Sequence, residues 1–301
     1  MSSDAGSIPA ASMMKKLKET LLEDRDKKKR NPSALKLSLS ASFFLSFILF
    51  LLSYSLPAGD TPSSLQQREP EKVRTIVIDP GHGGLEGGAR GPLGVLEKEI
   101  TLAVSLKLKK IIERNLAYRV FLTREKDISL SLEERAALAN NNKADLFISI
   151  HVNSSYRKNA HGSETYFLSM NATDEEARRL AYLENSSSEL DSRIAGESEE
   201  KDEIKMILWD MAQAAYLEQS SLLAEFIQDE LNMLLGTKNR GIKQAPFKVL
   251  TGVACPAVLV EVAFISNPEE EKNLLNETFQ EKVAQAIYKG LIEFEKLYSL
   301  K

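Results

Sequence analysis

A single cysteine, Cys255, stands in 301 residues, so no disulfide can form within the chain. Its neighbours (Val253-Ala-Cys-Pro-Ala257) are apolar, and it reads as a small packing residue rather than a reactive thiol. Basic charge is not in excess. Lys and Arg number 39 against 43 Asp and Glu, and the net charge of −4 gives no reason to expect nucleic acid as a partner. Histidine is scarce, at three residues, which makes the position of each one informative. No internal repeat is present. Charge itself is missing from one place, the 23 residues between Lys36 and Asp60.

That uncharged stretch is rich in Leu, Phe, Ile and Ser, with Leu45-Ser-Phe-Ile-Leu-Phe-Leu-Leu52 at its centre. A helix needs about 20 such residues to cross a bilayer. The polar segment before it, residues 1–36, carries the basic cluster Lys27-Lys-Lys-Arg30, which predicts a cytoplasmic N-terminus and everything after the span outside the cytoplasm. Residues 37–58 therefore read as a membrane anchor. The alternative is a cleaved signal sequence, against which stand the long leading segment and the poor cleavage site at Leu56-Pro-Ala58. Residues 59–73 are polar with two prolines and read as a linker. A folded domain is expected over 74–301, placed on the periplasmic side by either reading.

Within 74–301, apolar strand-like runs alternate with helical patterns. Strands are expected around Ile76–Ile78, Tyr118–Thr123, Asp145–Ile150, Ser163–Leu168 and Pro256–Val262. Helices are expected over Glu97–Arg114, from the capping box Ser131-Leu-Glu-Glu134 through Asn141, and over Phe279–Leu297. This rhythm predicts an α/β domain, a mostly parallel central sheet with helices on both faces. Residues 171–236 break it. They contain a helical pattern over Glu175–Glu184, a polar run Asn185–Asp202 and a long helical pattern Glu203–Leu235, and they read as a helical insertion.

Two of the three histidines end buried-strand runs: Thr75-Ile-Val-Ile-Asp-Pro-Gly-His-Gly-Gly84 and Ala144-Asp-Leu-Phe-Ile-Ser-Ile-His151. In a parallel sheet His82 and His151 would project at one rim, a geometry for metal, and zinc suits imidazole nitrogen with a third ligand and one open position. Glu97 opens the helix after the His82 strand. It is either the third ligand or a helix-start carboxylate favoured by the dipole, with Glu99 and Glu86 as weaker rivals. Glu261 interrupts the apolar run Val258-Leu-Val-Glu-Val-Ala-Phe264. A buried carboxylate there needs a partner: water at a metal, for which it would be the general base, or an Arg or Lys. His161 reads as a loop residue near the site.

These residues lie in stretches that resemble the zinc-dependent N-acetylmuramoyl-L-alanine amidases of the amidase type 3 family. The matching stretches are Ile78-Asp-Pro-Gly-His-Gly-Gly84, Glu97-Lys98, Leu122-Thr-Arg124, Leu132-Glu-Glu-Arg135, Ala144 through Asn153, and Pro256 through Glu270. The resemblance implies zinc held by His82, Glu97 and His151, with Glu261 as the catalytic carboxylate. The implied reaction is hydrolysis of the amide between N-acetylmuramic acid and L-alanine of the peptidoglycan stem peptide. The pattern departs at Glu86, where Asp is usual, and at Val262-Ala263, where Thr-Gly is common.

The insertion resembles that of division-type members, in which a helix covers the zinc until an activator protein displaces it. The matching parts are Arg178-Arg-Leu-Ala-Tyr-Leu-Glu-Asn185 and Ile207–Gln213. The acidic run Glu197-Ser-Glu-Glu200 leads to the expectation that a carboxylate between Glu189 and Glu203 takes the open zinc position, against the alternative of a solvated acidic loop. Two other functions stay open on residues alone: a catalytically silent wall-binding protein, and a zinc hydrolase for a different amide such as a peptidase.

Overall fold

A computed structural model describes residues 74–187 and 203–298. The segments read above as N-terminus, anchor and linker, and the acidic run 197–200, lie outside the described residues. Among those described, no helix is long and apolar enough to cross a membrane.

In chain order the elements are β1 (Thr75–Pro80), α1 (Glu97–Asn115), β2 (Arg119–Leu122), α2 (Leu132–Asn141), β3 (Leu146–Asn153), β4 (Ser163–Leu168), α3 (Glu175–Ser187), α4 (Glu203–Leu235), β5 (Asn239–Ala245), α5 (Lys248–Thr251), β6 (Ala257–Phe264), α6 (Pro268–Leu274) and α7 (Glu277–Tyr298). The strands form one sheet in the order β2-β1-β3-β6-β4-β5. Strands β2, β1, β3 and β6 are parallel, whereas β4 runs antiparallel to β6 and β5 parallel to β4. The sheet is therefore mixed, which refines the expectation from βα alternation. The reason is local. The connection from β3 to β4, residues 154–162, contains no helix, and a parallel return needs a crossover of a dozen or more residues.

Strands β1, β3 and β6 are buried along their whole length, as their Ile-, Val- and Leu-rich runs require between two helical layers. Helices α1, α4 and α7 pack on one face, and α2, α3 and α5 on the other. The second face has its core around Val77, Phe147, Leu259, Tyr166 and Phe247. Strand alternation carries the same face from Val77 to Asp79, from Phe147 through Ser149 to His151, and from Leu259 to Glu261. The sheet face thus turns from apolar to polar at the carboxyl ends of the parallel strands, the usual ligand rim of an α/β sheet.

β5 lies outside the expected set of strands. Its sequence, Asn239-Arg-Gly-Ile-Lys-Gln-Ala245, is polar and Gly-containing because it is an edge strand with little apolar demand.

Candidate metal centre

β1 ends at Pro80, and His82 sits immediately after it with φ of 59°, a left-handed conformation costly for a side-chain-bearing residue. Two buried arginines hold it there. Arg135 donates to the Asp79 carboxylate at 2.7 Å, to the Pro80 carbonyl at 2.9 Å and to the His82 carbonyl at 2.9 Å. Arg124 donates to the Pro80 and Gly81 carbonyls at 3.0 and 2.9 Å. Asp79 also accepts from Thr123 and Ser149. Burial pushes the Asp79 carboxyl up, but Arg135 and these donors outweigh it and hold it below the usual range. Gly81 is required by space, since a Cβ would lie 2.5 Å from the His151 ring. Gly88 is required by conformation and space, with φ of +67° and a Cβ that would lie 2.6 Å from the His82 ring.

Glu97 begins α1 and is almost fully buried. One oxygen accepts from the Ala89 amide at 2.8 Å, and the other from the Val152 amide at 2.9 Å. Those same oxygens lie 3.2 Å from His82 Nε2 and 3.1 Å from His151 Nδ1. The carboxylate points into the sheet rim between the histidines, and Glu99 on the same turn is exposed. Glu86 is half-buried on the loop and is outside the histidine cluster. His161 is exposed, with Nδ1 2.9 Å from the Asn159 carbonyl, and is not a member of the cluster. Cys255 is buried, and that burial pushes its thiol up to about 12.

A fourth group completes the cluster. Glu184, on the last turns of α3, places one oxygen 3.3 Å from both His82 Nε2 and His151 Nδ1. The ligand atoms of His82, Glu97, His151 and Glu184 all lie within 4.8 Å of one another. Most of the expected run 189–203 lies outside the described residues, and the carboxylate at the fourth position comes from just before it. The signal for Glu184 was in the sequence. Ala177, Leu180 and Ala181 form the buried stripe of α3, and Glu184 continues that stripe at the i+3 and i+4 spacing. A charge on the core-facing side of a helix needs a partner, and the partner here is the histidine pair.

The donor set fits zinc. Each histidine nitrogen lies 3.1–3.3 Å from an oxygen of Glu97 and from one of Glu184, close enough for the four groups to share one ion. His82 Nε2 makes no directional hydrogen bond although two carboxylates face it. The charge balance agrees. Burial pushes the His82 and His151 pKa values down, but Glu97 and Glu184 outweigh it and hold both well above the usual imidazole value, His82 at about 10. The pocket demands positive charge at its centre, and a cation there supplies it while leaving the imidazoles neutral.

Glu261 lies beside this cluster, in register with His151 on β3 and with Glu164 on β4. It is 1% exposed, and neither carboxylate oxygen has a hydrogen-bond partner. The Arg or Lys alternative is therefore not realised. Burial first, then the negative charges of Glu97, Glu184 and Glu164, push its carboxyl well above the usual range, with His151 opposing. An unpaired buried carboxylate beside a histidine–carboxylate cluster is poised to handle a proton.

Fold and site together define an α/β protein with a buried cluster of His82, Glu97, His151 and Glu184 that could hold a metal ion, and an adjacent unpartnered carboxylate, at its strand ends. The chain belongs to the amidase type 3 family of N-acetylmuramoyl-L-alanine amidases, which it matches over residues 76–293. It is 35% identical over 218 residues to the amidase AmiC of Escherichia coli O6:H1, covering 72% of this chain and 51% of that one. The chain thus spans about half the length of that relative. An N-acetylmuramoyl-L-alanine amidase of Clostridium difficile 630 superposes with a TM-score of 0.57 at 27% identity, covering 74% of this chain and 97% of the other. The CwlD amidase of Clostridioides difficile, solved in complex with the GerS lipoprotein, superposes with a TM-score of 0.55 at 28% identity, covering 74% and 99%.

Proposed function

We propose that this protein hydrolyses the amide between N-acetylmuramic acid and the L-alanine of peptidoglycan stem peptides, in wall remodelling or daughter-cell separation. One observation carries the reading. His82, Glu97 and His151 converge beside a buried, unpartnered Glu261, in a chain of the amidase family. Zinc bound by these three residues would polarise the scissile carbonyl and lower the pKa of water. The chain's own residues do the rest. Glu97 is fixed by two backbone amides, so it orients both imidazoles. Glu261, raised in pKa, takes the proton of the attacking water and delivers it to the leaving amine nitrogen. The carbonyl carbon gains the water oxygen, the C–N bond breaks, and a lactyl carboxylate and a free L-alanine amine result.

With α3 docked, Glu184 occupies the fourth position that the reaction needs open. The reading is therefore of a closed enzyme that an activator opens by acting on the 171–236 insertion. A structural neighbour that was solved in complex with a lipoprotein supports the idea that such domains take protein partners. The uncharged stretch 37–58 supports anchoring in the cytoplasmic membrane with the catalytic domain on the periplasmic side.

The test is release of stem peptide from purified wall by the full chain with zinc. Mass analysis should find peptides beginning at L-alanine, and Glu261→Gln should lower their release by roughly 10²- to 10⁴-fold with zinc retained. Zinc-loaded protein that releases no such peptide even with Glu184 replaced by alanine defeats the assignment.

A further inference from the structure

The helix that carries Glu184 over the metal centre makes a second ionic contact two turns earlier. Glu176 on α3 accepts from Arg240 Nη2 at 2.6 Å, and Arg157 Nη1 lies 3.5 Å from its other oxygen. Arg240 is a built group. Its Nε is fixed to the buried Glu164 at 3.0 Å, and its guanidinium lies 4.9 Å from the centroid of the Phe264 ring. Glu164 is itself locked by Asn153 at 2.6 Å, Tyr166 at 2.9 Å and Lys243 at 3.0 Å. The guanidinium is thus shared, its Nε committed to the buried Glu164 and its Nη2 to the exposed Glu176. Arg240, Arg157 and Glu176 line a cavity of about 230 Å³ together with Asn153 and Phe264. That cavity adjoins the catalytic rim: Asn153 follows His151 by two residues, and Glu164 is the register partner of Glu261.

We propose that Arg240, assisted by Arg157, is the subsite that reads a carboxylate on the stem peptide, and that Glu176 fills this subsite while α3 is docked. The proposal rests on the amidase reading above. Its chemistry is a planar fork meeting a carboxylate. The spacing agrees with a peptide. Eight residues of helix separate Glu176 from Glu184, about 12 Å at 1.5 Å per residue. That distance is covered by roughly three to four extended residues. In this substrate the lactyl carboxyl of the sugar is consumed in the scissile amide, so the carboxylate at that distance belongs to the peptide. Helix α3 then imitates substrate at two points, with Glu184 in place of the reacting group and Glu176 in place of the distal carboxylate. Arg240 is a specificity residue, since it lies away from the reacting atoms.

The experiment uses the full chain, zinc-loaded and carrying Glu184→Ala. It is given two N-acetylmuramoyl tripeptides that differ only in whether the peptide carboxylates are free or amidated. The free acid should show a KM about 10-fold below that of the amide, the scale of one charge-assisted contact. Arg240→Met should raise the free-acid KM to the amide value with little change in kcat and no effect on the amide. Arg240→Lys should fall between. Because Arg240→Met also removes a partner of Glu164, Glu176→Gln in the otherwise unaltered chain gives a second arm at an exposed position. It should tighten equilibrium binding of the free-acid tripeptide and leave the amidated one unchanged. Equal loss on both substrates, or a fall in kcat with KM unchanged, gives Arg240 a structural role and overturns the proposal. Binding that ignores amidation also overturns it. If Arg240-dependent binding of the free acid persists while nothing is hydrolysed, the subsite stands and the amidase reading falls.

Discussion

Two glutamates face the same pair of histidines from different helices, and their settings differ: one is built into the core and the other sits on a lightly anchored helix. Glu97 belongs to α1, which buries Ile100, Val104, Leu108 and Ile112 against the sheet, and its oxygens are also held by two backbone amides. Glu184 belongs to α3, whose buried apolar stripe is Ala177, Leu180 and Ala181, while Tyr182 and Leu183 on the same turns are exposed. At about 25 cal/mol per Å² of apolar surface, full burial of a leucine is worth roughly 2 kcal/mol and of an alanine much less. The anchoring of α3 is thus of the order a binding partner can overcome. The anchoring of α1 is part of the core. Similar distances to the histidines therefore conceal different surroundings, and the apolar packing and the backbone donors tell the two carboxylates apart.

The largest expected effect comes from removing the carboxylate that is built into the core. Glu97→Ala should weaken zinc binding by at least about 100-fold, because even outer-shell changes cost 10- to 100-fold, and activity should vanish with it. Metal analysis after dialysis checks this. Retained zinc would make Glu97 and Glu184 interchangeable and break the contrast between them.

Glu184→Ala should act in the opposite direction. With zinc kept by the other three residues, activity on purified wall without any activator should rise roughly 10- to 100-fold, the scale of one charge-assisted contact of 1.5–3 kcal/mol. A fall in activity would make Glu184 a working ligand rather than a cover.

Leu180→Ala probes the same helix through packing instead of charge. Loss of about 2 kcal/mol of docking should raise basal activity by roughly 3- to 30-fold while zinc content stays the same. Proteolysis within α3 should quicken in parallel. Unchanged activity would show that α3 is held by its ionic contacts alone.

The smallest effect is on stability against pH. With metal removed, Glu97 and Glu184 raise both imidazoles above their unfolded value near 6.5, His82 to about 10. A raised histidine stabilises the folded state fully below pH 6.5, and that contribution is lost as pH rises through the folded value. The chelated protein should therefore lose thermal stability between pH 6.5 and 10, by a few degrees for each ~1 kcal/mol forfeited. The zinc-loaded protein should not follow that curve, and differential scanning of both forms compares them directly.

The strands that carry the site were legible because burial on both faces demands unbroken apolar runs, and a histidine or glutamate within or just after such a run is conspicuous. β5 was not legible, since an edge strand can be polar. Nor was its Lys243, whose partner, the buried Glu164, is distant in sequence. Arg124 and Arg135 stood in the matching stretches without a role, because a clamp on the Pro80–His82 carbonyls exists only once β2 and α2 are packed beside β1.

By itself the sequence determined which histidines and carboxylates stand at the strand ends, the alternation that builds an α/β sheet, and the family. These depend on residue identity and on short-range periodicity, which the chain carries locally. Tertiary structure decided which carboxylate completes the cluster, which way β4 and β5 run, and that α3 places Glu184 on the histidines and Glu176 on Arg240 at once. Each of those depends on surfaces that meet only after folding, between residues up to a hundred positions apart, where sequence spacing carries no distance.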